Sequence, residues 1–282
     1  MTTATSLPTT SVDALEDARL TFLGTIRSEW IKLRSVRSTI WSYALLVVIS
    51  VGLAALVAFA LTNIPEGVAG EAPGAQPVQT IVQASVAGVA FGQLIAGILG
   101  VLVISGEYTT GMVRSTFLAV PGRLSALAAK GTVLFSATFI VGLIANVAAY
   151  LVASLMLSQE DIAAPLTDPG VFWPLLGAAL YLAMVSLFAL AIGALVRSSA
   201  GGIAVVVGIL LILPTILGLV PADWAREAVP FLLSNAGGGI YSSATLAPEG
   251  EALGMWVNLL VTGLWVVVPT AAAAVLLRTR DA

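Results

Sequence analysis

Six long apolar runs free of charge set the pattern of this chain: Thr39 to Leu61, Val78 to Ser105, Gly131 to Ser158, Val171 to Val196, Ser198 to Val220 and Ala252 to Leu277. Each reaches the roughly 20 apolar residues that a helix needs to cross a hydrocarbon core at about 1.5 Å per residue. The runs are too long for the strands of a membrane barrel and lack strict apolar/polar alternation, so they predict six spanning helices. Ahead of the first, RLTFLGTIRSEWIKLRSVRST places Leu20, Leu23, Ile26, Trp30 and Leu33 at helical spacing, with Ser28, Glu29 and Lys32 opposite. This predicts an interfacial amphipathic helix over residues 20–37, with Trp30 at the headgroups, Lys32 and Arg34 near anionic lipid, and Arg27 and Arg34 snorkelling. The alternative is a loose basic juxtamembrane segment.

Composition strengthens the membrane assignment. Of 282 residues, 59% are hydrophobic and only 10% charged, with a mean hydropathy of +1.03, well outside the range of soluble domains. Residues 1–18 are polar, slightly acidic and without an apolar centre, and read as a disordered cytoplasmic tail rather than a signal peptide. The remainder, 19–282, reads as one transmembrane domain.

Charge fixes an expected orientation. Eleven of the twelve Lys and Arg residues fall before span 1, between spans 2 and 3, between spans 4 and 5, or at the C-terminus, which leaves Arg226 alone on the opposite side. Both termini are therefore expected in the cytoplasm, with the loops holding Glu66, Glu71, Glu160, Asp161, Asp168, Glu249 and Glu251 outside. The net charge of −3 carries no information about partners, since the two signs are sorted across the bilayer, and nothing supports nucleic-acid binding. With no Cys and no His, disulfides, Cys/His metal sites and His-dependent catalysis are excluded, and no Asp lies within a span to build a di-Asp protease.

Between spans 2 and 3 the stretch GEYTTGMVRSTFLAVPGRLSALAAKG, residues 106–131, holds Arg114, Arg123 and Lys130. It is far longer than a connection between adjacent helices requires. Glu107 follows the last apolar turn, Gly111 permits a sharp bend, Pro121 stops a helix, and Arg123 and Lys130 mark the return to the bilayer. Phe117 and Leu118, costly to leave in water, suggest a short helix presented to another protein. Arg123 and Lys130 are each explained by the positive-inside rule alone, whereas Glu107, a carboxylate at the edge of a span, needs a partner, for which Arg114 and Arg123 are near enough in sequence.

On these residues the chain resembles the membrane subunit of an ABC-2 type exporter. The resemblance rests on E-Y-x-x-G at Glu107, Tyr108 and Gly111, then Arg114, Pro121, Arg123 and Lys130, with SEWIKLRSVRST typical of actinobacterial members and Met112 departing from the Thr of many members. It covers residues 20–282. It implies an all-α polytopic membrane protein of the ABC-2, type V exporter-like fold, with six transmembrane helices and an N-terminal elbow helix at 20–37. It also implies a multi-pass subunit of the bacterial plasma membrane that pairs with a second permease protomer, identical or different, and with a separate ABC ATP-binding subunit. Residues 106–122 would form the coupling helix docking on that ATPase, through Glu107, Tyr108, Gly111, Arg114, Pro121 and Arg123. Spans 2 and 5 would flank the substrate path, placing Gln83, Phe91, Gln93, Leu213 and Pro214 near it, and the external segment 221–250 would cap the exit.

The residues also bear on energy supply. No G-x-x-x-x-G-K-[ST] phosphate loop occurs, and Ala-Lys-Gly-Thr at 129–132 has Lys and Gly in the wrong order, so the chain is not expected to be an enzyme. ATP and Mg are expected on the partner chain, with no cofactor in this one. An ion gradient would call for ionisable side chains within the spans, and the apolar runs hold none. They hold Gln83, Gln93, Asn146 and Asn258, read first as interhelical hydrogen-bonding groups, and small residues such as Gly88, Gly92, Gly97, Gly100 and Gly193 that permit close packing within the subunit or across a dimer. Pro214 and Pro269 are expected to kink spans 5 and 6. The segment 221–250 predicts a short helix dipping into the outer headgroups, closed by a flexible Ala-Gly-Gly-Gly at 236–239. Charge-free spans favour an amphiphilic substrate such as a drug, lipid or peptide. The competing reading is a membrane anchor or sensor that docks a cytoplasmic partner without transport.

Overall fold

The computed structural model describes residues 21–63, 77–109, 111, 123–242 and 253–279. Every regular element among these residues is helical. The elbow helix α1 runs Phe22–Ser35, capped by Thr21, whose hydroxyl accepts the Gly24 N–H at 3.1 Å. A single extended residue, Val36, separates it from α2, Arg37–Asn63. Then follow α3 (Pro77–Val86), α4 (Val89–Thr109), α5 (Arg123–Leu157), α6 (Pro169–Val196), α7 (Ser199–Val207), α8 (Leu213–Leu219), α9 (Asp223–Ala228), α10 (Leu233–Tyr241) and α11 (Met255–Thr279). Six helical segments are long and apolar enough to cross a bilayer: α2, α3 with α4, α5, α6, α7 with α8, and α11.

Span 4 (α6) is the centre of the bundle. Of its most apolar window 72% is buried, against 17–22% for spans 1, 5 and 6. It packs against α4, α5, α10 and α11, and Tyr181, Leu182, Val185 and Phe188 in the core belong to it. Span 2 approaches it through small residues: a Cβ at Gly100 would lie 2.4 Å from the carbonyl oxygen of Ser186. At this position, therefore, close packing serves the subunit itself.

Several breaks have identifiable causes. Span 2 is interrupted at Ala87–Gly88, where a Cβ on Gly88 would lie 2.3 Å from the Cα of Ser50 in span 1. Span 5 passes through a π-helical turn, Gly208–Ile212, in which the Leu213 N–H reaches back to the Gly208 carbonyl. Pro214, which lacks an N–H, follows in the first turn of α8, and the Thr215 hydroxyl donates to the Leu211 carbonyl at 2.6 Å. In span 6 the Thr270 hydroxyl donates to the Val266 carbonyl beside Pro269. Span 4 starts at an Asp168 cap and stops at Arg197, whose left-handed φ of 55° ends the helix.

The structure departs from expectation at Ala236–Gly239. These residues form the middle of α10 and are not a flexible closure. Gly237 is what lets α10 seat on span 4, since a Cβ there would fall 1.9 Å from the Tyr181 ring. The third span also begins earlier than its apolar run, at Arg123, because Leu-Ser-Ala-Leu-Ala-Ala-Lys is a good helical sequence that carries Lys130 inside the first two turns. The tail 1–18, Leu20, Arg114, Pro121, Met112, Phe117, Leu118, the side chain of Arg123, and Glu66, Glu71, Glu249, Glu251 and Arg280 lie outside the described residues.

Candidate functional site

The ends of spans 2 and 4 and the starts of spans 1, 3 and 5 meet at one end of the bundle, the end richer in basic residues. There, four ionisable side chains from three helices form a cluster. Lys130, in the second turn of α5, donates to Glu29 Oε2 at 2.5 Å and to Glu107 Oε1 at 2.8 Å. Lys32, one turn after Glu29 on the elbow, donates to Glu29 Oε1 at 2.7 Å and to Glu107 Oε1 at 3.2 Å. Side-chain exposure is 4% for Glu29, 8% for Lys130, 13% for Glu107 and 35% for Lys32. The two carboxylates and two ammonium groups balance, which lets them persist where an unpaired charge would be expelled.

Burial alone would push the Glu29 carboxyl up. The Lys130 ammonium, followed by the hydrogen bonds from Lys130 and Lys32, outweighs it and holds Glu29 below its ordinary value. Burial likewise works against the charged form of Lys32, but its bonds and attraction to Glu29 and Glu107 prevail and raise it.

This arrangement reverses one expectation. Glu29 lies opposite the apolar stripe in sequence, yet it is buried: α1 packs on α5 through Thr25, Glu29 and Leu33, while Leu23, Trp30 and Ile31 are exposed. The face toward the protein thus combines Thr25, Glu29 and Leu33 with a half-buried Ile26, while the outward face carries Leu23, Trp30 and Ile31 together with Arg27 and Arg34. Buried there, Glu29 pairs with Lys130, which Glu107 also engages. Glu107, for which the sequence offers Arg114 and Arg123 as partners, is engaged by Lys130 and Lys32, which makes Lys130 a member of the cluster.

Beside the cluster, the Arg197 guanidinium lies over the Tyr108 ring, 5.4 Å from its centroid, and the Ser199 hydroxyl donates to that of Ser105 at 2.8 Å. The turn between spans 4 and 5 is thus tied to the end of span 2. Gly111 follows with φ of +71°, the left-handed conformation suited to a bend, and its N–H reaches the Tyr108 carbonyl at 3.4 Å. Trp30 and Arg34 are exposed on the elbow.

The residues expected along a substrate path lie toward the other end and are only partly brought together. An open cleft of about 600 Å³ has Gln93 and Pro214 in its walls, with Asn235 and Tyr241 of α10 and Asn258 of α11; Gln83, Phe91 and Leu213 are not among its lining residues. Gln83 and Phe91 are exposed and Leu213 is half-buried. Gln93 accepts a hydrogen bond from the Tyr181 hydroxyl, Asn258 donates to the Leu253 carbonyl at 2.9 Å, and Asn146, fully buried, donates to the Leu175 carbonyl at 3.1 Å. Sequence pattern does not reveal α10 as a wall of this cleft, because α10 reaches it only through packing, while Tyr181 lies buried behind it and holds Gln93. Among the described residues no cluster of acidic side chains is arranged to hold a metal ion.

No protein-family model matches this chain, and no curated protein matches it.

Proposed function

We propose that this chain is the membrane subunit of an ATP-driven exporter of the ABC-2 type, resident in the bacterial plasma membrane with both termini in the cytoplasm. In this reading it works with a second permease protomer and a separate ATP-binding subunit that carries ATP and Mg. The observation that supports it best is the Glu29–Lys32–Glu107–Lys130 cluster, which ties the elbow and the bases of spans 2 and 3 together at the point where the segment 106–122 begins.

In that reading the cluster works as a rigid joint. A partner pushing on residues 107–122 acts first on Glu107, at the end of span 2. The short bonds from Glu107 through Lys130 to Glu29 make span 2, span 3 and the elbow move as one body, so a push at the surface tilts span 2 instead of fraying its last turn. Span 2 in turn bears Gln93 of the open cleft, along which an amphiphile moves outward. The absence of a phosphate loop from the sequence leaves hydrolysis to the partner.

Glu107→Ala tests the reading in cells that express the chain with its ATPase. Insertion and ATP hydrolysis are expected to persist while ATP-driven efflux of fluorescent amphiphiles is lost. Undiminished efflux would refute the joint. Hydrolysis and binding without efflux in the wild type would favour the anchor or sensor reading.

A further inference from the structure

The open cleft beside span 5 has one apolar wall and one neutral polar wall. Leu210, Leu211 and Pro214 of span 5 line the first; Asn235, Tyr241 and Ser242 at α10 and Asn258 of α11 line the second. No Asp, Glu, Lys or Arg stands among the described residues that line it. Its volume of about 600 Å³ falls within the roughly 300–1,000 Å³ of small-molecule sites. Gln93 is already committed, since it accepts from the Tyr181 hydroxyl and donates to the Ala90 carbonyl at 3.1 Å. Asn258 is committed only in part. It is 5% exposed and its Nδ2 donates to the Leu253 carbonyl at 2.9 Å, but its Oδ1 accepts no hydrogen bond among the described residues. The amide has room there because residue 239 is a glycine, where a Cβ would overlap it. The Tyr241 and Ser242 hydroxyls likewise have no hydrogen-bond partner among the described residues, and Asn235, exposed, accepts from Ser234 while its amide N–H groups stay open.

A buried acceptor, two hydroxyls and an amide donor call for a ligand whose polar atoms both donate and accept. A phosphate or carboxylate only accepts, and would leave Asn258 Oδ1 without a donor. An ammonium only donates, and would leave the Asn235 amide without an acceptor. Hydroxyls serve all four groups, and the wall of Leu211 and Pro214 suits an apolar chain. We infer that the cleft binds the polyhydroxyl headgroup of an uncharged glycosylated amphiphile, held by Asn258, Tyr241, Ser242 and Asn235. That this amphiphile is also the exported one rests on the proposed function; its binding does not.

Native mass spectrometry of the purified full chain tests it, in a polyoxyethylene detergent that carries no sugar. The probes are monoglucosyl diacylglycerol, phosphatidylglycerol and a trimethylammonium lipid, all with the same chains, and free glucose as a headgroup without chains. The cationic lipid is the sharpest rival, because Glu249 and Glu251 stand between α10 and α11 in sequence. One glucosyl lipid per chain is expected to survive conditions that strip both charged lipids. Asn258→Leu should weaken its retention about tenfold, and Tyr241→Phe, which removes only a hydroxyl, about fivefold. Asn63→Ala, which alters an amide at the far end of span 1 outside the cleft, should leave retention unchanged. Should Asn258→Leu fail to fold, Tyr241→Phe carries the test. Equal retention of the three lipids, or strongest retention of the cationic one, would overturn the site. Wild-type retention by both cleft variants would overturn it as well. Competition by glucose as strong as by the lipid would replace the amphiphile with a soluble sugar. The two readings fail separately: selective retention by a chain that copurifies with no ATPase keeps the site and drops the exporter, whereas ATPase binding without selective retention drops the site alone.

Discussion

Lys130→Met removes the cation that Glu29, which is buried, and Glu107, which is half-buried, share. Glu29, 4% exposed, would be left with Lys32 as its one charged partner among the described residues, and Lys32 is 35% exposed. Removing one member of a buried pair costs about 3–5 kcal/mol, because the remaining charge stays desolvated. Lys32 is screened by solvent, so Lys32→Met costs about 1 kcal/mol or less. At roughly 2–4 °C per kcal/mol, Lys130→Met lowers the apparent unfolding temperature by roughly 6–20 °C, and Lys32→Met by roughly 4 °C or less. The double variant Glu29→Gln/Lys130→Met removes the orphaned charge along with its partner, and should be more stable than the sum of the single effects by about 0.5–3 kcal/mol. The assay is heating of the detergent-solubilised chain at a fixed rate, followed by tryptophan fluorescence and by the monodisperse fraction, since unfolding of such a protein is read kinetically. Thiol-reactive dyes give no signal on a chain without Cys. A Lys130→Met variant as stable as the wild type, or no less stable than Lys32→Met, would refute the claim that Lys130 holds the cluster.

The same assay separates neighbouring glycines of α10. Gly237→Ala drives a methyl group into the Tyr181 ring and should cost about 1–3 kcal/mol, whereas Gly238→Ala, whose nearest neighbour is the Tyr241 hydroxyl at 4.0 Å, should be neutral or stabilising by up to about 1 kcal/mol. Equal losses would mean that α10 is not seated on span 4. Asn146→Leu, which deletes the bond to the Leu175 carbonyl, should lower stability by about 1 kcal/mol, and a stabilised variant would show that the amide is not structural glue. Stability should also depend on pH with a definite sign. Glu29 is depressed, so its contribution is present above its ordinary value of 4.5 and is lost as pH falls through the lower folded value. Lys32 is raised, so its contribution is present below 10.5 and is lost as pH climbs through the higher folded value. A thermal profile that is level between these limits, with an acid limb weakened by Glu29→Gln, is the expected result; an acid limb unchanged in that variant would contradict it.

The six long apolar helices were legible because a backbone that crosses a bilayer has no partners but its own, so a helix able to cross reads as about 20 consecutive apolar residues. The elbow was legible as a helix from the spacing of Leu23, Ile26, Trp30 and Leu33, but not in its rotation. A hydrophobic stripe names the face that avoids water, and beside a membrane that face turns toward lipid as readily as toward protein. In the observed rotation Glu29 pairs with Lys130, 101 residues away in sequence. A signal was available: Glu29 is the only acid in residues 19–37, and Lys130 sits within a run of helix formers at the edge of an apolar span. The interruption at Gly88 and the helicity of Ala236–Gly239 were illegible for a different reason. A glycine reads locally as a breaker, whereas here Gly88 accommodates the backbone of Ser50, and Gly237 the ring of Tyr181. Pro214 announced the disturbance in span 5, but the π-helical turn ahead of it depends on hydrogen-bond register that side-chain pattern does not encode.

The most direct test of the proposed function is a detergent pull-down of this chain co-expressed with candidate ABC ATP-binding subunits from the same genome. Wild type is compared with a variant in which residues 107–115 become a Gly/Ser linker. The account predicts that a stoichiometric, hydrolysing ATPase copurifies with wild type and is lost from a variant that still inserts and elutes as a monodisperse species. If no ATPase binds either form, or if both bind it equally, the segment that begins at Glu107 is not the docking element and the exporter reading fails.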